Sequence, residues 1–434
     1  MILSEKDMLT LHFSVLTGVC SLIMMQKYQK SFKSVIFERF LRPMKRYLFV
    51  ISILLHLLCA AVSANAANRQ DEHLSFVYDV DFDFRFDNRE YYKSNFSESM
   101  TIFGARLTPS IGVEMGNPWR NMKHKLMLGV DIMKDFGNSP VSSSLAGSDA
   151  DEGSIRQVNG DLFREITMFY NMEGRVGKTD ISLYAGIFPR KMTGGNYSDV
   201  FFSDSLKFYD NNLEGILLKL ERPRFRFEVG CDWFGKKADI RKEKFMIFSA
   251  GQGWITPELS LGYAGYMYHF AGSYSAEGVV DNILLNPYAN LDLSRRTRLQ
   301  TLSFKLGYVQ ALQHDRVFVG HYVLPSGGEF DFNVSNWNVG IHNRLFYGND
   351  MMPYYNSSDT GGNKYGTRLY LGDPFYRIHD DGAAGPGFYD RLSIWYEPYI
   401  ARWLSIRIEA RFHFHDFRYS GCQQLVTLNF NINR

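Results

Sequence analysis

Cysteine is scarce in this chain: four in 434 residues, and only Cys231 and Cys422 beyond residue 66. Two cysteines close at most one disulfide, so a disulfide-built scaffold is excluded, and no CxxC pair offers a structural zinc site. A basic excess is also missing. Residues 1–66 carry 8 of the 48 Lys and Arg and 3 of the 46 Asp and Glu, which leaves 40 against 43 and a net charge of −3 for the remainder. Nothing in that balance points to nucleic acid. Beyond residue 66 no apolar stretch approaches the roughly 18 residues of a membrane-spanning helix, so if this part lies in a membrane it lies there as strands. No G-x-S-x-G marks a nucleophile elbow.

What the chain does have is two-residue alternation. From Leu74 to Asp87, Leu74, Phe76, Tyr78, Val80, Phe82, Phe84 and Phe86 hold the even positions. Ser75, Asp79, Asp81, Asp83, Arg85 and Asp87 hold the odd ones, with Val77 the exception. Alternate side chains of a strand point to opposite faces, so this strand needs oil on one side and water on the other. The pattern runs for about 13 residues, against about 5–6 in a typical globular strand. That length suits a tilted strand crossing a bilayer.

An export signal precedes it. Met44-Lys45-Arg46 opens a positive region, Tyr47 to Val62 is apolar, and Ser63-Ala64-Asn65-Ala66 ends in the small-x-small pattern of a cleavage site. Residues 44–66 read as a signal peptide and residues 67–434 as the mature chain. Residues 1–43 read as an upstream start assigned too early; the rival reading is an anchor over Met8–Met25, interrupted by His12. Leu58 before Cys59 is too large for a lipoprotein signal.

Further alternating segments follow: Phe103–Met115, Leu126–Ile132, Ile166–Met172, Ile181–Ile187, Arg224–Trp233, Leu302–Tyr308, Leu392–Tyr396, Leu404–Phe414 and a last strand through Val426, Leu428, Phe430 and Ile432. The linkers alternate long and short. Asn88–Met100, Gly137–Leu162, Arg190–Asn212 and Tyr347–Tyr365 are long, whereas Gly174–Thr179, Arg222-Pro223 and Ala401-Arg402 are short. Outer-membrane barrels sort their loops this way, with tight turns on one side and free loops on the other. Trp119, Trp254, Trp403 and Tyr399 fall at the short side, as an interfacial aromatic girdle would. The expectation is an all-β, antiparallel, up-and-down transmembrane barrel of 16 strands, or 18 if Thr367–Leu371 and Pro374–Ile378 form a hairpin.

The connection from Arg190 to Asn212 carries Phe201, Phe202, Phe208 and Tyr209 and is too apolar to stay in solvent. The barrel interior is the place for it. Its later part, Asp204-Ser205-Leu206-Lys207-Phe208-Tyr209-Asp210-Asn211-Asn212-Leu213-Glu214-Gly215, resembles the third outer loop of the Gram-negative general porins, which folds inward between strands five and six. The resemblance in architecture runs from about Leu74 to the end. It implies a constriction in which acidic loop residues face a basic wall. Asp199, Asp204 and Asp210 match the loop part, beside Arg190 and Lys191 at its start; Arg224, Arg226, Arg407 and Arg411 are the wall candidates. The resemblance further implies a homotrimer in the cell outer membrane that passes small hydrophilic solutes.

Two motifs take a structural reading. Asp79-x-Asp81-x-Asp83 has calcium-loop spacing but Phe84 where such a loop needs glycine, and the strand pattern accounts for it. His413-x-His415 could chelate zinc but lacks a third placed ligand, so two lumen histidines are expected. The sequence reading is a passive porin-like channel, not an enzyme, with no cofactor and no metal. Its partners are outer-membrane lipid and small solutes. The alternatives are a barrel enzyme hydrolysing lipid or peptide at the membrane face, or a non-conducting adhesin or receptor.

Overall fold

The computed structural model describes residues 73–91, 94, 96–117, 121–136, 163–235, 242–271, 278–359, 361–379 and 385–433. The expected signal peptide and upstream segment, Trp119 and residues 137–162 lie outside the described residues. Residues Asp71–Arg434 form one compact unit.

Among the described residues seventeen strands make one antiparallel sheet. They are β1 (His73–Glu90), β2 (Met100–Asn117), β3 (Met122–Asp135), β4 (Phe163–Val176), β5 (Thr179–Pro189), β6 (Asn212–Arg222), β7 (Phe225–Gly235), β8 (Lys244–Trp254) and β9 (Leu259–Phe270) in the first part. Then come β10 (Val280–Asp292), β11 (Thr301–Asp315), β12 (Ser326–Asn336), β13 (Val339–Gly348), β14 (Gly387–Tyr396), β15 (Tyr399–Ala401), β16 (Leu404–His415) and β17 (Arg418–Asn433). β15 is three residues within the hairpin between β14 and β16, which pair directly, so the wall has 16 long strands. Each long strand pairs with its sequence neighbours, and β1 also pairs with β17, Phe82 opposite Phe430 and Asp83 opposite Asn429. That pairing closes the sheet and leaves no edge, the condition for strands to cross a bilayer. The strand count is 16 and not 18. Gly366–Leu369 is a helical turn and Pro374–Arg377 a 3-10 turn, both within the long connection that follows β13.

Both ends of the barrel sequence lie at the short-turn end. β4 and β5 are joined by Gly177 and Lys178, β6 and β7 by Pro223 and Arg224, and β12 and β13 by Trp337 and Asn338. The last pair has φ of 50° and 65°, the doubly positive geometry that matches strand twist in a two-residue hairpin. The opposite end carries the longer connections, residues 190–211 and 349–386 among them; the turn at Asp416 and Phe417 between β16 and β17 is its exception. Outward positions are apolar and exposed along the wall: Phe76, Ile111, Met168, Leu306 and Ile408. Such a band suits lipid contact on every side. Tyr399 and Trp403 stand exposed in the β14–β16 hairpin, at girdle height.

The inward face is not uniformly polar. Phe188, Leu217, Met246, Phe248, Tyr266, Tyr268, Phe270 and Phe346 are buried there against residues of the two long connections. The expected water-filled lumen is therefore corrected in its upper part, because loop side chains replace water and the wall facing them has turned apolar.

Candidate functional site

Two loops occupy the lumen. The lower is residues 190–211, between β5 and β6. It contains α1 (Asp204–Tyr209), capped by the Ser203 hydroxyl, which accepts the Leu206 N–H at 3.2 Å. A serine cap with Asp204 in the first turn suits a helix start. The upper is residues 349–386, between β13 and β14. The two are joined backbone to backbone: Ser203 N–H donates to Leu371 O and Asp373 N–H to Asp199 O, both at 2.8 Å. At Gly372 a Cβ would stand 2.1 Å from the Val200 carbonyl oxygen, so the contact admits no side chain there.

The lower loop reaches nearly every side of the barrel. Asp199 is bound by Arg344 of β13 at 2.7 Å and by Arg391 of β14. Asp204 is bound by Arg411 of β16 and lies 3.6 Å from Arg85 of β1. Lys191 pairs with Asp81 and, at 3.5 Å, with Asp79. Arg190 meets Asp232 of β7 at 2.9 Å and Asp210 at 3.4 Å. Glu228 of β7 accepts from Gly194 N–H (2.7 Å), Gly195 N–H (3.0 Å) and the Tyr197 hydroxyl (3.0 Å). Arg106 of β2 donates to the Phe208 carbonyl. Burial pushes the Asp199 carboxyl up, but Arg391 and Arg344 outweigh it and hold the group well below the ordinary carboxylate range. Arg411 and Arg85 do the same against burial for Asp204.

The structure thus joins Asp199, Asp204 and Arg411 in one ion-pair cluster through Lys207, pairs Arg190 with Asp210, and sets Lys191 apart, on Asp79 and Asp81 of β1. Arg224 lies in the turn before β7, and Arg226 lies over the Trp254 ring at 5.3 Å while lining a cleft with Gly194, Gly195 and Asn196 of the lower loop. Arg407 is bound lower down by Glu409 at 2.8 Å and Glu397 at 3.3 Å. Arg85, Arg344 and Arg391, which the sequence reading did not single out, supply the missing cations. His413 donates or accepts through both ring nitrogens, with the Tyr389 hydroxyl (2.9 Å) and Gln423 (3.2 Å), and stacks on Phe375 at 4.1 Å. His415 is likewise engaged by Ser420 and the Phe375 carbonyl. Among the described residues no group of three ligating side chains is poised for a metal ion.

The upper loop closes over this layer. Phe375, Tyr376, Tyr365, Leu369 and Tyr370 are buried. Tyr376 O–H donates to Glu329 at 2.8 Å, Tyr365 O–H to Asp315 at 2.8 Å, and Tyr370 O–H to Gln313 at 2.6 Å. Beneath the lower loop a cleft open to solvent is lined by Gly194, Gly195, Asn196, Lys219, Arg226 and Glu228. Together the loops form a two-layer plug whose ion pairs are internally matched; such an arrangement holds a shape more readily than it passes solutes.

A second charged group lies on the outer wall near the long-loop end. His269 of β9 pairs in register with Asp281 of β10, and Asp281 with His314 of β11. His269 Nδ1 is 3.2 Å from one Asp281 oxygen, and Arg316 binds the other through Nε at 2.8 Å and its terminal nitrogen at 2.6 Å.

Comparisons with known proteins bear on what these groups do. Residues 68–371 match the family model described as lipid A 3'-O-deacylase-type. No curated protein matches the chain. Among solved structures, a loop-deletion mutant of OmpT, an outer membrane protein of Vibrio cholerae, is similar at 8% identity, covering 84% of this chain and 100% of that one, with a TM-score of 0.47. OccAB4 of Acinetobacter baumannii is similar at 9% identity over 83% of this chain and 98% of its own, TM-score 0.40. OpdK of Pseudomonas aeruginosa shares 7% over 83% and 99%, TM-score 0.38. The family match overturns one expectation from the sequence, that the chain is not an enzyme: the matching family is named for an ester hydrolysis. Charge alternation and loop lengths describe a wall and say little about chemistry done on it, which is why the sequence reading held the lipid- or peptide-hydrolysing barrel enzyme only as its alternative to the channel.

Proposed function

The chain belongs to the lipid A 3'-O-deacylase-type family, and from that premise we propose that it is an outer-membrane hydrolase that removes an ester-linked acyl chain from lipid A or a lipid of that kind. The family match carries the reading. It covers the strands from β1 to β13 and most of the upper plug loop, so it spans the membrane wall and is not confined to an appended segment. A closed barrel with apolar outward positions keeps the protein in the bilayer, beside a substrate that cannot leave it. The two loops across the lumen support the same reading, since a plugged barrel has no need of a passage to act on lipid.

The test is direct. Refolded residues 67–434, shown to be folded by heat-modifiable gel mobility, are incubated with lipid A in detergent micelles, and the lipid is examined by mass spectrometry. Loss of one acyl mass with release of the matching free acid is the expected result. Intact lipid A, together with discrete salt-dependent conductance in a planar bilayer, would return the protein to the channel reading.

A further inference from the structure

We propose that His269, oriented by Asp281 and Arg316 on the lipid-facing wall, is the general base of this hydrolysis; the inference rests on the lipid-hydrolase reading above. The direction of the side chains follows from their neighbours. Tyr268 O–H donates to Arg368 O at 3.2 Å, Asn282 Nδ2 to Leu369 O at 3.3 Å, and Gln313 Nε2 to Met351 O at 2.8 Å. All three reach the upper plug inside the barrel. Adjacent residues of a strand point to opposite faces, so His269, Asp281 and His314 point out. Their height is fixed too. His269 and His314 are the penultimate residues of β9 and β11, and Asp281 is the second residue of β10, all at the long-loop end. In a barrel of this kind that end faces outward from the cell, at the outer headgroup layer.

The hydrogen bonding suits a base. Asp281 has one oxygen on His269 Nδ1 and the other on Arg316, so its carboxylate is held in place to accept a hydrogen bond from Nδ1–H. The tautomer so set leaves the lone pair on Nε2, which makes no hydrogen bond among the described residues. The pair is sheltered from bulk water, with the His269 side chain 20% and the Asp281 side chain 12% exposed, while Arg316 lies half exposed at its rim. Three strands contributing two histidines and a carboxylate to one outward row is a poor use of a lipid-facing wall unless the row does chemistry. On the far side of Asp281, His314 has its Nε2 buried with no hydrogen-bond partner and its ring 4.7 Å from Tyr322.

Apolar surface flanks the dyad on both sides. Phe245 stacks on His269 at 5.1 Å, and Trp233 stacks on Phe245 at 5.1 Å with the planes 13° apart. Val317, Phe318, Tyr322 and Leu324, in the loop that begins with Arg316, are each about half exposed. An acyl chain laid along either strip brings its ester to the level of Nε2. There a water gives a proton to Nε2 as its oxygen bonds to the ester carbonyl carbon and the carbonyl electron pair moves to oxygen. When the pair returns, the carbon–oxygen bond to the sugar breaks, and the leaving oxygen takes the proton from Nε2. The products are the free acid and the sugar hydroxyl, and His269 is neutral again. His269 is the catalytic residue; Asp281 and Arg316 are positioning residues.

The experiment uses the folded full barrel with lipid A in micelles. His269→Gln is expected to lower kcat by about 100-fold or more with KM little changed, the range of a lost general base. Asp281→Asn is expected to lower kcat about tenfold or more with KM held. His269→Gly should regain part of its turnover when imidazole is added, which a merely structural loss would not. His124→Gln, at an outward histidine near the short-turn end whose Nδ1 lies 2.6 Å from the Tyr170 hydroxyl, should leave activity unchanged. Should the 269 variants fail to show heat-modifiable mobility, diethylpyrocarbonate on the wild-type barrel replaces them: activity should fall in step with modification of His269 as mapped by mass spectrometry. Wild-type activity with His269→Gln retaining more than half of it, or modification of His269 without loss, overturns the dyad and leaves the hydrolase reading standing. A folded wild type that leaves lipid A intact overturns both.

Discussion

Removing the Asp199 carboxylate should undock the lower plug loop without unfolding the barrel. Its side chain is 13% exposed and lies between Arg344 and Arg391, which are 9% and 8% exposed. Arg344 keeps Asp331 at 2.5 Å and Glu329 at 3.5 Å if Asp199 goes. Arg391 has no other carboxylate within ion-pair distance among the described residues, so Asp199→Ala strands one buried guanidinium. Breaking a buried pair from one side costs about 3–5 kcal/mol. At about 1.4 kcal/mol per factor of ten, the docked loop loses roughly two to three and a half powers of ten in its equilibrium over the undocked one. The barrel wall keeps its full ladder, so the loss falls on the plug. The assay is single-channel recording of both proteins in a planar bilayer: a closed wild type, and brief discrete openings in Asp199→Ala. Asp199→Ala combined with Arg391→Leu removes the stranded charge and should close the barrel again. Openings that persist in the double variant, or an Asp199→Ala protein as silent as wild type with an unchanged urea midpoint, would refute the argument.

Two further outcomes follow from the plug. The carboxyls of Asp350 and Asp373, in the upper loop, are pushed up to about 6, in both by burial above all. A carboxyl raised in the docked state stabilises docking below its ordinary pKa near 4, and that contribution is lost as pH rises through about 6. Asp199 and Asp204, held below the ordinary range, act the other way and weaken the lower loop only in strong acid. Amide exchange in residues 361–379, corrected for intrinsic rates, should therefore be at least about tenfold faster at pH 8 than at pH 5, and equal protection would contradict the burial of both groups. Gly372→Ala should part the two loops, since the added methyl would meet the backbone of Asp199 and Val200. Overpacking of this kind costs about 1–3 kcal/mol. The expected sign is faster limited proteolysis within 349–386 while heat-modifiable mobility is kept.

The wall was legible because its two environments are so different. Leu74 to Asp87 alternates with Val77 as its one exception and lies within β1; Arg224–Trp233 and Leu404–Phe414 became β7 and β16 with ends shifted by at most two residues. The inward fold of 190–212 followed from Phe201, Phe202 and Phe208, which have no other apolar place to go. Thr367–Leu371 and Pro374–Ile378 were open to a strand reading, because a short apolar run carries no period. In the barrel they pack as helical turns that satisfy their own backbone within a loop. The charge partners were half legible. Parity tells which residues point inward, but the height of a residue in the barrel depends on the stagger between strands, which parity does not contain. Arg226 and Arg407 point to the lumen side of their strands yet miss the loop carboxylates, Arg226 lying over Trp254 and Arg407 taken by Glu397 and Glu409, while Arg344 and Arg391 reach Asp199.

The same limit explains why the His269 row went unread. Its members are 12 and 33 residues apart in sequence, and only the pairing of β9 with β10 and of β10 with β11 sets them side by side. Parity failed there for a further reason. In β9 the outward Leu261, Tyr263 and Met267 alternate with Ala264, Tyr266, Tyr268 and Phe270, which face the plug and are just as apolar. Where water fills a barrel, the inner residues are polar and the outer face announces itself. Where a plug replaces water, both faces turn apolar and the pattern disappears. A lone histidine among them then reads as core. The feature that removes the reason to call this barrel a channel thus also hides the part of its wall on which an enzyme would work. It follows that the strands lacking alternation, β9 above all, are where outward chemistry in such a barrel has to be sought by register and not by period.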